Sequence, residues 1–336
     1  MSARDFRWVD GERLVRFARG SLAEAPGALA QRGFEGFALL TTERAAGDAP
    51  ELADAAARVL HVPDDPVPEA GAAVRASVAR RPLVALGGGR VIDAAKGIAG
   101  ADGLPCAAIP TTLSGAPMTS IHRMPAGVDV WRLVRPSLVI ADPELMASQP
   151  PEPRAASAMN ALAHAAEALY GPMANPVSEL AALRAASLLA RGVEAMSEDE
   201  ARPDLALGAI LAGYAVGAAG FALHHVVGQT LVRETRAPHA LAYAVLLPHT
   251  LRAMAPRAPR AIARLGEALG AGGPDLVPER VAELAARSGA TRLSEIGVEG
   301  AAIDGVVHAI LARPDLANTP DPPDAAELHE LLARAL

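Results

Sequence analysis

Three consecutive glycines stand between an apolar segment and a helical pattern. Residues 82–86 are predicted to form a strand, Gly87, Gly88 and Gly89 follow, and residues 90–100 are predicted to form a helix. Because glycine has no Cβ atom, the backbone can turn tightly and bring its N–H groups against a phosphate, where a helix N-terminus adds partial positive charge. The triplet does not match the GxGxxG fingerprint, so an ordinary turn between strand and helix is the alternative interpretation.

A second polar loop follows the next predicted strand. Residues 106–109 are predicted to form that strand, and residues 110–115 read PTTLSG. The carboxyl ends of parallel strands meet at one edge of a sheet, where ligands bind, so the two loops together predict a dinucleotide site. The expected contacts are Gly87, Gly88, Gly89, Arg90, Asp93, Lys96, Thr111, Thr112, Ser114 and, at the end of an earlier strand, Thr41. For the charged residues of the helix, a solvated helix face is the alternative interpretation.

Several histidines gather in the second half of the chain. Asn160 and His164 lie four residues apart, which places both side chains on one face of a predicted helix. His225 ends an apolar, glycine-rich segment, and His239 follows it by fourteen residues. Imidazole groups can bind a metal, hold a carboxylate or exchange protons near neutral pH. A lone histidine in an apolar helix is more often a core residue, but several in one predicted domain indicate a site.

The elements that must position these residues divide the chain in two. Up to residue 150, short apolar runs alternate with helical patterns, which is typical of a mostly parallel sheet covered on both faces. After the prolines at 150, 151 and 153 no strand signal follows. The helices predicted there span residues 155–170, 177–196, 202–227, 241–254, 261–269, 278–288 and 325–335. We therefore predict an α/β nucleotide-binding domain over residues 1–150 and an all-helical domain over residues 151–336.

Composition excludes several other classes of protein. The 336 residues are 51% hydrophobic and 21% charged, with 31 basic against 38 acidic residues and a formal net charge of -7. Such a chain can bury a core, and without a basic cluster it does not predict nucleic-acid binding. A single cysteine, Cys106, excludes an internal disulfide and a multi-thiolate zinc site and indicates a reducing compartment. Residues 206–227 contain no charged side chain but are interpreted as a buried helix, so we expect a cytoplasmic protein with no membrane partner.

These motifs together resemble the iron-containing (group III) alcohol dehydrogenase superfamily, and its maleylacetate reductase-like branch in particular. Residues 87–96 (GGGRVIDAAK) are similar to that family's GGGSxxDxAK dinucleotide loop, and residues 110–115 to its PTTxxGSE loop. Residues 159–170 (MNALAHAAEALY) are close to the maleylacetate reductase version of the helix that carries the first histidine. The resemblance covers residues 13–255 and implies a dehydroquinate synthase-like architecture and a homodimer.

The resemblance also implies a chemistry. Family members transfer a hydride between NAD or NADP and an alcohol or carbonyl, and metal-dependent members hold iron or zinc with one Asp and three His. The Asp position here is Asn160, and the His positions are His164, His225 and His239. A neutral amide contributes no negative charge to a divalent cation, so we expect no tightly held metal. If a metal is bound, those three histidines would be its ligands.

Other departures from the family pattern concern the substrate. The position four residues after His225, usually a second active-site histidine, is Gln229, which we count as a candidate catalytic residue that cannot exchange protons. The serine of GGGS is replaced by Arg90, and the glutamate of GSE has given way to Ala116 and Pro117. We therefore do not expect the substrate to be the same as that of the relatives.

The main hypothesis is an NAD(P)-dependent dehydrogenase or reductase acting on a CH–OH group of an acidic or specialised small-molecule or peptide-borne substrate. Oxidation of a 3-hydroxy acid followed by decarboxylation is one form of it, and maleylacetate reduction is the alternative within the same class. A non-redox lyase or a scaffold that reuses the fold is the alternative of another class. NAD and NADP are not distinguished, because residues 41–44 (TTER) contain both an acid and a base.

Overall fold

A computed structural model describes residues 6–10 and 12–336, and the chain divides into two units, Met1–Gln149 (unit 1) and Pro150–Leu336 (unit 2). Unit 1 contains one seven-stranded sheet in the order β1-β2-β7-β6-β5-β3-β4, parallel throughout except that β1 is antiparallel to β2. The strands are β1 (Phe6–Asp10), β2 (Arg13–Phe17), β3 (Ala38–Thr41), β4 (Arg58–His61), β5 (Leu83–Gly87), β6 (Cys106–Pro110) and β7 (Leu138–Ala141). The predicted α/β class with a mostly parallel sheet is confirmed.

Both faces of the sheet are covered by apolar side chains. Along β5, Leu83 and Ala85 belong to one hydrophobic cluster, whereas Val84 and Leu86 belong to the other. A strand buried on both sides is a continuous apolar run without alternation, which explains why these segments were recognisable in the sequence. The helices of unit 1 are α1 (Ala25–Gln31), α2 (Glu43–Gly47), α3 (Pro50–Ala55), α4 (Val67–Arg75), α5 (Gly89–Asp102) and α6 (Pro143–Met146).

The connections that leave β3 and β5 lead toward opposite edges of the sheet. From β3 the chain runs through α2 and α3 to β4 at the edge, whereas from β5 it runs through α5 to β6 on the opposite side. Such a reversal leaves a crevice at the carboxyl ends of the two strands, which is where ligands bind in open α/β sheets. The glycine triplet lies at this point, since Gly87 ends β5 and α5 begins at Gly89.

Unit 2 is helical throughout. Its helices are α7 (Pro151–Glu167), α8 (Pro176–Glu194), α9 (Ala201–Ala219), α10 (Leu223–Thr235), α11 (His239–Met254), α12 (Pro259–Leu269), α13 (Val277–Ala285), α14 (Ile303–Leu311) and α15 (Ala325–Ala335). Every residue of α7 from Arg154 to Glu167 is buried, so this helix lies at the centre of the unit and carries its polar residues into the core.

The prediction of one helix over residues 202–227 is wrong. The helix ends at Ala219 and a new one begins at Leu223, with a bend of 102° between them. Gly220 has φ of +82°, a conformation that other residues avoid, and this turns the chain out of α9. In the described part of the chain no single helix is long and apolar enough to cross a membrane, and this bent pair meets the length and composition criteria only when both helices are taken together.

Candidate active site

In unit 1 the loop after β5 meets the loop after β6. Gly87 pairs with Pro110 in the sheet, and the N–H of Thr111 donates to the Gly87 carbonyl at 3.0 Å. A Cβ atom on Gly88 would lie 3.1 Å from the side chain of Thr112. A Cβ atom on Gly89 would lie 3.3 Å from the hydroxyl of Ser114. The glycines therefore keep the space between the two loops open.

The polar groups at this edge suit an anion. No side chain caps α5 at Gly88, so the first N–H groups of this helix remain free to bind a ligand. The hydroxyl of Ser114 is buried and, among the described residues, has no hydrogen-bond partner. Helix dipole, free amides and an unpartnered hydroxyl together fit the pyrophosphate of a dinucleotide.

Lys96 is part of this region and its side chain contacts other parts of unit 1. Its side chain is fully buried and its ammonium group donates to Asp93 Oδ1 at 2.8 Å, the Ala116 carbonyl at 3.0 Å and the Ile121 carbonyl at 2.7 Å, with the hydroxyl of Thr119 a fourth, longer contact at 3.4 Å. An ammonium group has three protons, so these contacts use all of them. Lys96 therefore ties the loop of residues 111–121 to α5, and its contact with the cofactor stays a prediction.

Two other predicted cofactor contacts also have protein partners. Thr41 is fully buried and its hydroxyl donates to the Thr42 carbonyl at 3.3 Å, so its side chain is not presented to a ligand. Arg90 forms an ion pair with the exposed Asp64, and partial burial lowers the pKa of its guanidinium group. At the carboxyl end of β3, Thr41 therefore offers its backbone and not its side chain to a ligand.

In unit 2, helices α7, α10 and α11 bring the three predicted histidines together around two aromatic rings. Phe221 stacks on His225 with ring centroids 4.0 Å apart, and His225 stacks on His164 at 4.7 Å. His239 stacks on Tyr243 at 4.3 Å, and Tyr243 meets His225 edge-on at 5.2 Å. The sequence analysis missed both aromatic residues. The spacing of four residues between His239 and Tyr243 on one helix could have indicated the second, whereas Phe221 lies in the unpredicted break before α10.

Glu167 organises the start of α10. It is fully buried at the end of α7, and its Oε1 accepts the backbone N–H of His225 at 3.2 Å while Oε2 accepts Nδ1–H of the same residue. The backbone N–H groups of Ala222 and His224 also favour the ionised form of this carboxylate and lower its pKa. Glu167 thus caps a helix whose own N-cap residue has no capping side chain.

When Glu167 is ionised, this contact places the ring proton of His225 on Nδ1. With Nδ1 protonated, Nε2 carries the lone pair, and this atom is buried with no hydrogen-bond partner in the described part of the chain. Nδ1 of His164 and Oδ1 of Asn160 are likewise buried and unpartnered among the described residues. Three polar atoms from two neighbouring helices therefore await a ligand.

Burial keeps these imidazoles neutral. It lowers the pKa of His225 well below its usual value, and the charges of His239 and Arg313 lower it further. Burial followed by the charge of His225 lowers the pKa of His164 in the same way. Burial raises the pKa of Glu167 to about 7, against the opposing effect of its N–H donors and His224. The histidines can therefore accept a hydrogen bond or a proton without carrying a permanent charge.

The neighbouring His224 has a different role. Its Nδ1 donates to the hydroxyl of Thr250 at 2.9 Å, because that hydroxyl has already given its own proton to the Leu247 carbonyl at 3.0 Å. Burial lowers the pKa of His224 to about 3. The ring joins α10 to α11 and holds the edge of Tyr243, with centroids 5.1 Å apart.

The same residues do not fit a divalent metal ion. Asn160 offers a neutral oxygen, which contributes no negative charge to a divalent cation. The His164 and His225 planes are only 15° apart in a stack, so their in-plane lone pairs do not converge on one point. In residues 6–10 and 12–336 no group of three or more His, Cys, Asp or Glu side chains could hold a metal ion. Whether the protein binds a metal stays a prediction.

Comparisons of the sequence and of the structure with known proteins point to the same family. The model for iron-containing alcohol dehydrogenase matches residues 16–150, and that for the C-terminal part of the Fe-containing alcohol dehydrogenase family matches residues 154–336. A maleylacetate reductase of Sphingobium indicum is 35% identical over 341 residues, covering 96% of this chain and 95% of that protein. The crystal structure of maleylacetate reductase from Agrobacterium tumefaciens has a TM-score of 0.85 at 30% identity, covering 99% of this chain and 98% of the other. That of an iron-containing alcohol dehydrogenase from Corynebacterium glutamicum has a TM-score of 0.87 at 31% identity, covering 100% and 98%.

Proposed function

Because this chain belongs to the iron-containing alcohol dehydrogenase family, and to its maleylacetate reductase-like branch, we propose that it interconverts an alcohol and a carbonyl on an acidic substrate without a tightly bound metal. As a member of that family it is an NAD(P)-dependent oxidoreductase acting on CH–OH or carbonyl groups. The observation that carries the proposal is the buried Glu167–His225 pair, which leaves a lone pair at Nε2 of His225.

The nucleotide is proposed to bind to unit 1. Its pyrophosphate would lie against the amides of Gly88 and Gly89 and the hydroxyls of Thr112 and Ser114, where small residues keep the space open. A bound nicotinamide nucleotide supplies the hydride in reduction and takes it up in oxidation.

The residues of unit 2 are proposed to handle the substrate oxygen and its proton. In oxidation, Nε2 of His225 accepts the proton of the substrate hydroxyl, and in reduction it returns this proton to the carbonyl oxygen. The carboxylate of Glu167 stabilises the imidazolium formed in oxidation by accepting the Nδ1–H hydrogen bond. Asn160 and His164 would orient the reacting oxygen from the same face of α7.

The test measures the reduced-nicotinamide absorbance with NAD and NADP against maleylacetate and a set of 3-hydroxy acids. We expect turnover by the wild type, and a loss of about 10² to 10⁴-fold in His225→Gln, the range that general acid–base groups contribute. His249→Gln on α11 is the matched histidine control and should retain activity. Nucleotide binding, followed by calorimetry, should be unchanged in both variants. A wild type that binds neither nucleotide would overturn the proposal and favour the non-redox alternative.

Maleylacetate reduction itself is a second candidate. It is favoured by the 35% identity to the Sphingobium indicum maleylacetate reductase over nearly the full length of both chains. If it is correct, maleylacetate will be reduced with a higher kcat/KM than any other compound of the panel. We further propose that the protein is a cytoplasmic homodimer and acts on a small-molecule or peptide-borne substrate. Sedimentation of the purified enzyme would test whether it is a dimer.

A further inference from the structure

Gln229 is held in one orientation by Arg313. Nη2 of Arg313 donates to Gln229 Oε1 at 2.9 Å, and Nη1 lies 3.4 Å from the hydroxyl of Thr230. Arg313 follows α14 and is itself fixed by Asp315: Nε donates to Asp315 Oδ1 at 2.9 Å, and Nη2 contacts Oδ2 of the same carboxylate. The arginine side chain is only 18% exposed, so this arrangement is largely screened from water.

The contact decides which end of the Gln229 amide is free. A guanidinium group has donors and no acceptor, so the atom facing Arg313 must be the amide oxygen. The Nε2 amino group therefore points the other way with two donors, and in the described part of the chain it has no acceptor. Asp315 pairs with Arg313 and holds the guanidinium group in place, so the arginine gives this region a directed donor.

The free amino group belongs to the face of α10 that carries His225. Gln229 follows His225 by four residues, one helical turn, which places the two Cβ atoms about 6 Å apart. Burial, then the charge of His239 and then that of Arg313 lower the pKa of His225, so Arg313 lies near enough to act on this ring. A substrate whose oxygen lies at His225 therefore has Gln229 within reach of a neighbouring group.

We propose that Arg313 is a positioning residue that makes Gln229 a fixed hydrogen-bond donor for a carboxylate of the substrate. This inference rests on the proposed function and deepens it by naming the group that binds the carboxylate of the acidic substrate. A carboxylate only accepts hydrogen bonds, so the NH₂ group of Gln229, which only donates, matches it, whereas an ammonium group on the substrate has no acceptor for it. Unlike a histidine at the same place, the amide keeps both protons at every physiological pH.

The test compares KM and kcat for maleylacetate in Gln229→Glu, Arg313→Met and Arg313→Lys. In Gln229→Glu the new side chain still accepts from Arg313 but turns a second oxygen toward the substrate. We expect KM to rise about tenfold or more with kcat changed less than about threefold, because a buried carboxylate of the substrate then faces a like charge. Arg313→Met frees the amide and should raise KM several-fold, while Arg313→Lys, which can still donate to Oε1, should restore much of the affinity.

The matched control is Arg233→Met, an exposed arginine on the same helix that pairs with Glu234. Binding of maleate and of its uncharged diamide, maleamide, is measured by calorimetry in every variant with nucleotide present. We expect Gln229→Glu to weaken maleate and not maleamide. The inference would be overturned if Gln229→Glu weakened the binding of maleate and maleamide equally, or if it changed neither affinity. This test depends on Gln229→Glu alone, so it stands even if Arg313→Met fails to fold.

The maleate measurement also separates this inference from the proposed function. A wild type that binds maleate but no nucleotide would refute the redox proposal and leave the role of Gln229 to be decided by the variants. A wild type that binds nucleotide but neither maleate nor any substrate acid of the panel refutes the carboxylate class while the redox proposal stands.

Discussion

Two buried polar clusters, one in each unit, differ in how their hydrogen-bonding atoms are used. In unit 1, Lys96 has an oxygen for each of its three protons, so a charged group in the core is fully satisfied. In unit 2, single atoms of Asn160, His164 and His225 are buried with no partner among the described residues. An unsatisfied buried polar group costs about 1–3 kcal/mol, so it persists in a native protein where something else uses it. The first cluster maintains the loop, and under the proposed function the second binds a ligand.

The largest effect is expected from breaking the satisfied cluster. In Lys96→Met the carboxylate of Asp93 and two loop carbonyls lose their donor, so the unfolding free energy should fall by about 3–5 kcal/mol, as when one member of a buried ionic contact is removed. The loop of residues 111–121 should loosen at the same time and weaken nucleotide binding. Urea unfolding and calorimetry measure the two effects.

Arg75→Met is the matched control for this experiment. Arg75 also binds an aspartate of α5, Asp102, but its side chain is 36% exposed, and such pairs contribute about 1 kcal/mol or less. A loss in Lys96→Met no larger than that in Arg75→Met would show that the buried ammonium group does not hold the loop.

The opposite outcome is expected in the unsatisfied cluster. His164→Phe keeps an aromatic ring in the stack with His225 but removes the unpartnered nitrogen, so kcat/KM should fall by about 10² to 10³-fold, as for the loss of one oriented polar group in a catalytic site. The unfolding free energy should stay the same or increase. A variant that loses stability and keeps its activity would reverse the comparison.

The next prediction concerns the missing carboxylate at Asn160 in the second cluster. Asn160→Asp adds the carboxylate that a divalent cation requires, and metal content measured by mass spectrometry after incubation with zinc should rise, with affinity increased roughly tenfold. The wild type should retain its turnover after dialysis against a chelator. Loss of wild-type turnover on chelation, with recovery on adding iron or zinc, would contradict the neutral-site proposal.

Sequence patterns predicted those parts of the two clusters that depend on local spacing. The strand, glycine turn and helix around Gly87 follow from short apolar runs, and the shared face of Asn160 and His164 follows from helical periodicity. The break at Gly220 was not predictable, because other glycines in the same apolar stretch, such as Gly208, lie inside α9 without interrupting it.

Contacts between segments far apart in the chain could not be predicted from the sequence, for a different reason. Lys96 was assigned either to a ligand or to a solvated helix face, since its carbonyl partners lie 20 and 25 residues further along an irregular loop. The role of Glu167 depends on the N-terminus of a helix whose start was not predicted. Arg313 lies between α14 and a 3₁₀ turn, Pro314–Asn318, neither of which has a strong periodic signal.

The smallest effect is expected at His122, a histidine whose two ring nitrogens both form hydrogen bonds. In unit 1, Nε2 of His122 accepts the N–H of Val134 at 3.0 Å, and Nδ1 donates to the Arg123 carbonyl at 3.2 Å. Both contacts together require a neutral ring. Burial lowers the pKa of His122, the charge of Lys96 lowers it further, and Asp93 and the Arg123 hydrogen bond oppose this shift.

The sign of the pH dependence follows from that shift. Because the folded pKa of His122 lies below the unfolded value of about 6.5, the unfolded chain binds more protons at acid pH, and the stability present above about pH 6.5 is lost as the pH falls. Buried histidines of unit 2 act in the same direction, so the wild type should be less stable at about pH 5 than at about pH 7.5. In His122→Gln this difference in unfolding free energy should shrink, because the variant lacks one group that binds a proton more readily in the unfolded chain. His308→Gln, at an exposed histidine, is the matched control, and the loss in His122→Gln should exceed any change there. An undiminished difference in His122→Gln would mean that the ring can be protonated within the fold, and that a satisfied hydrogen-bond pattern alone does not keep a buried histidine neutral.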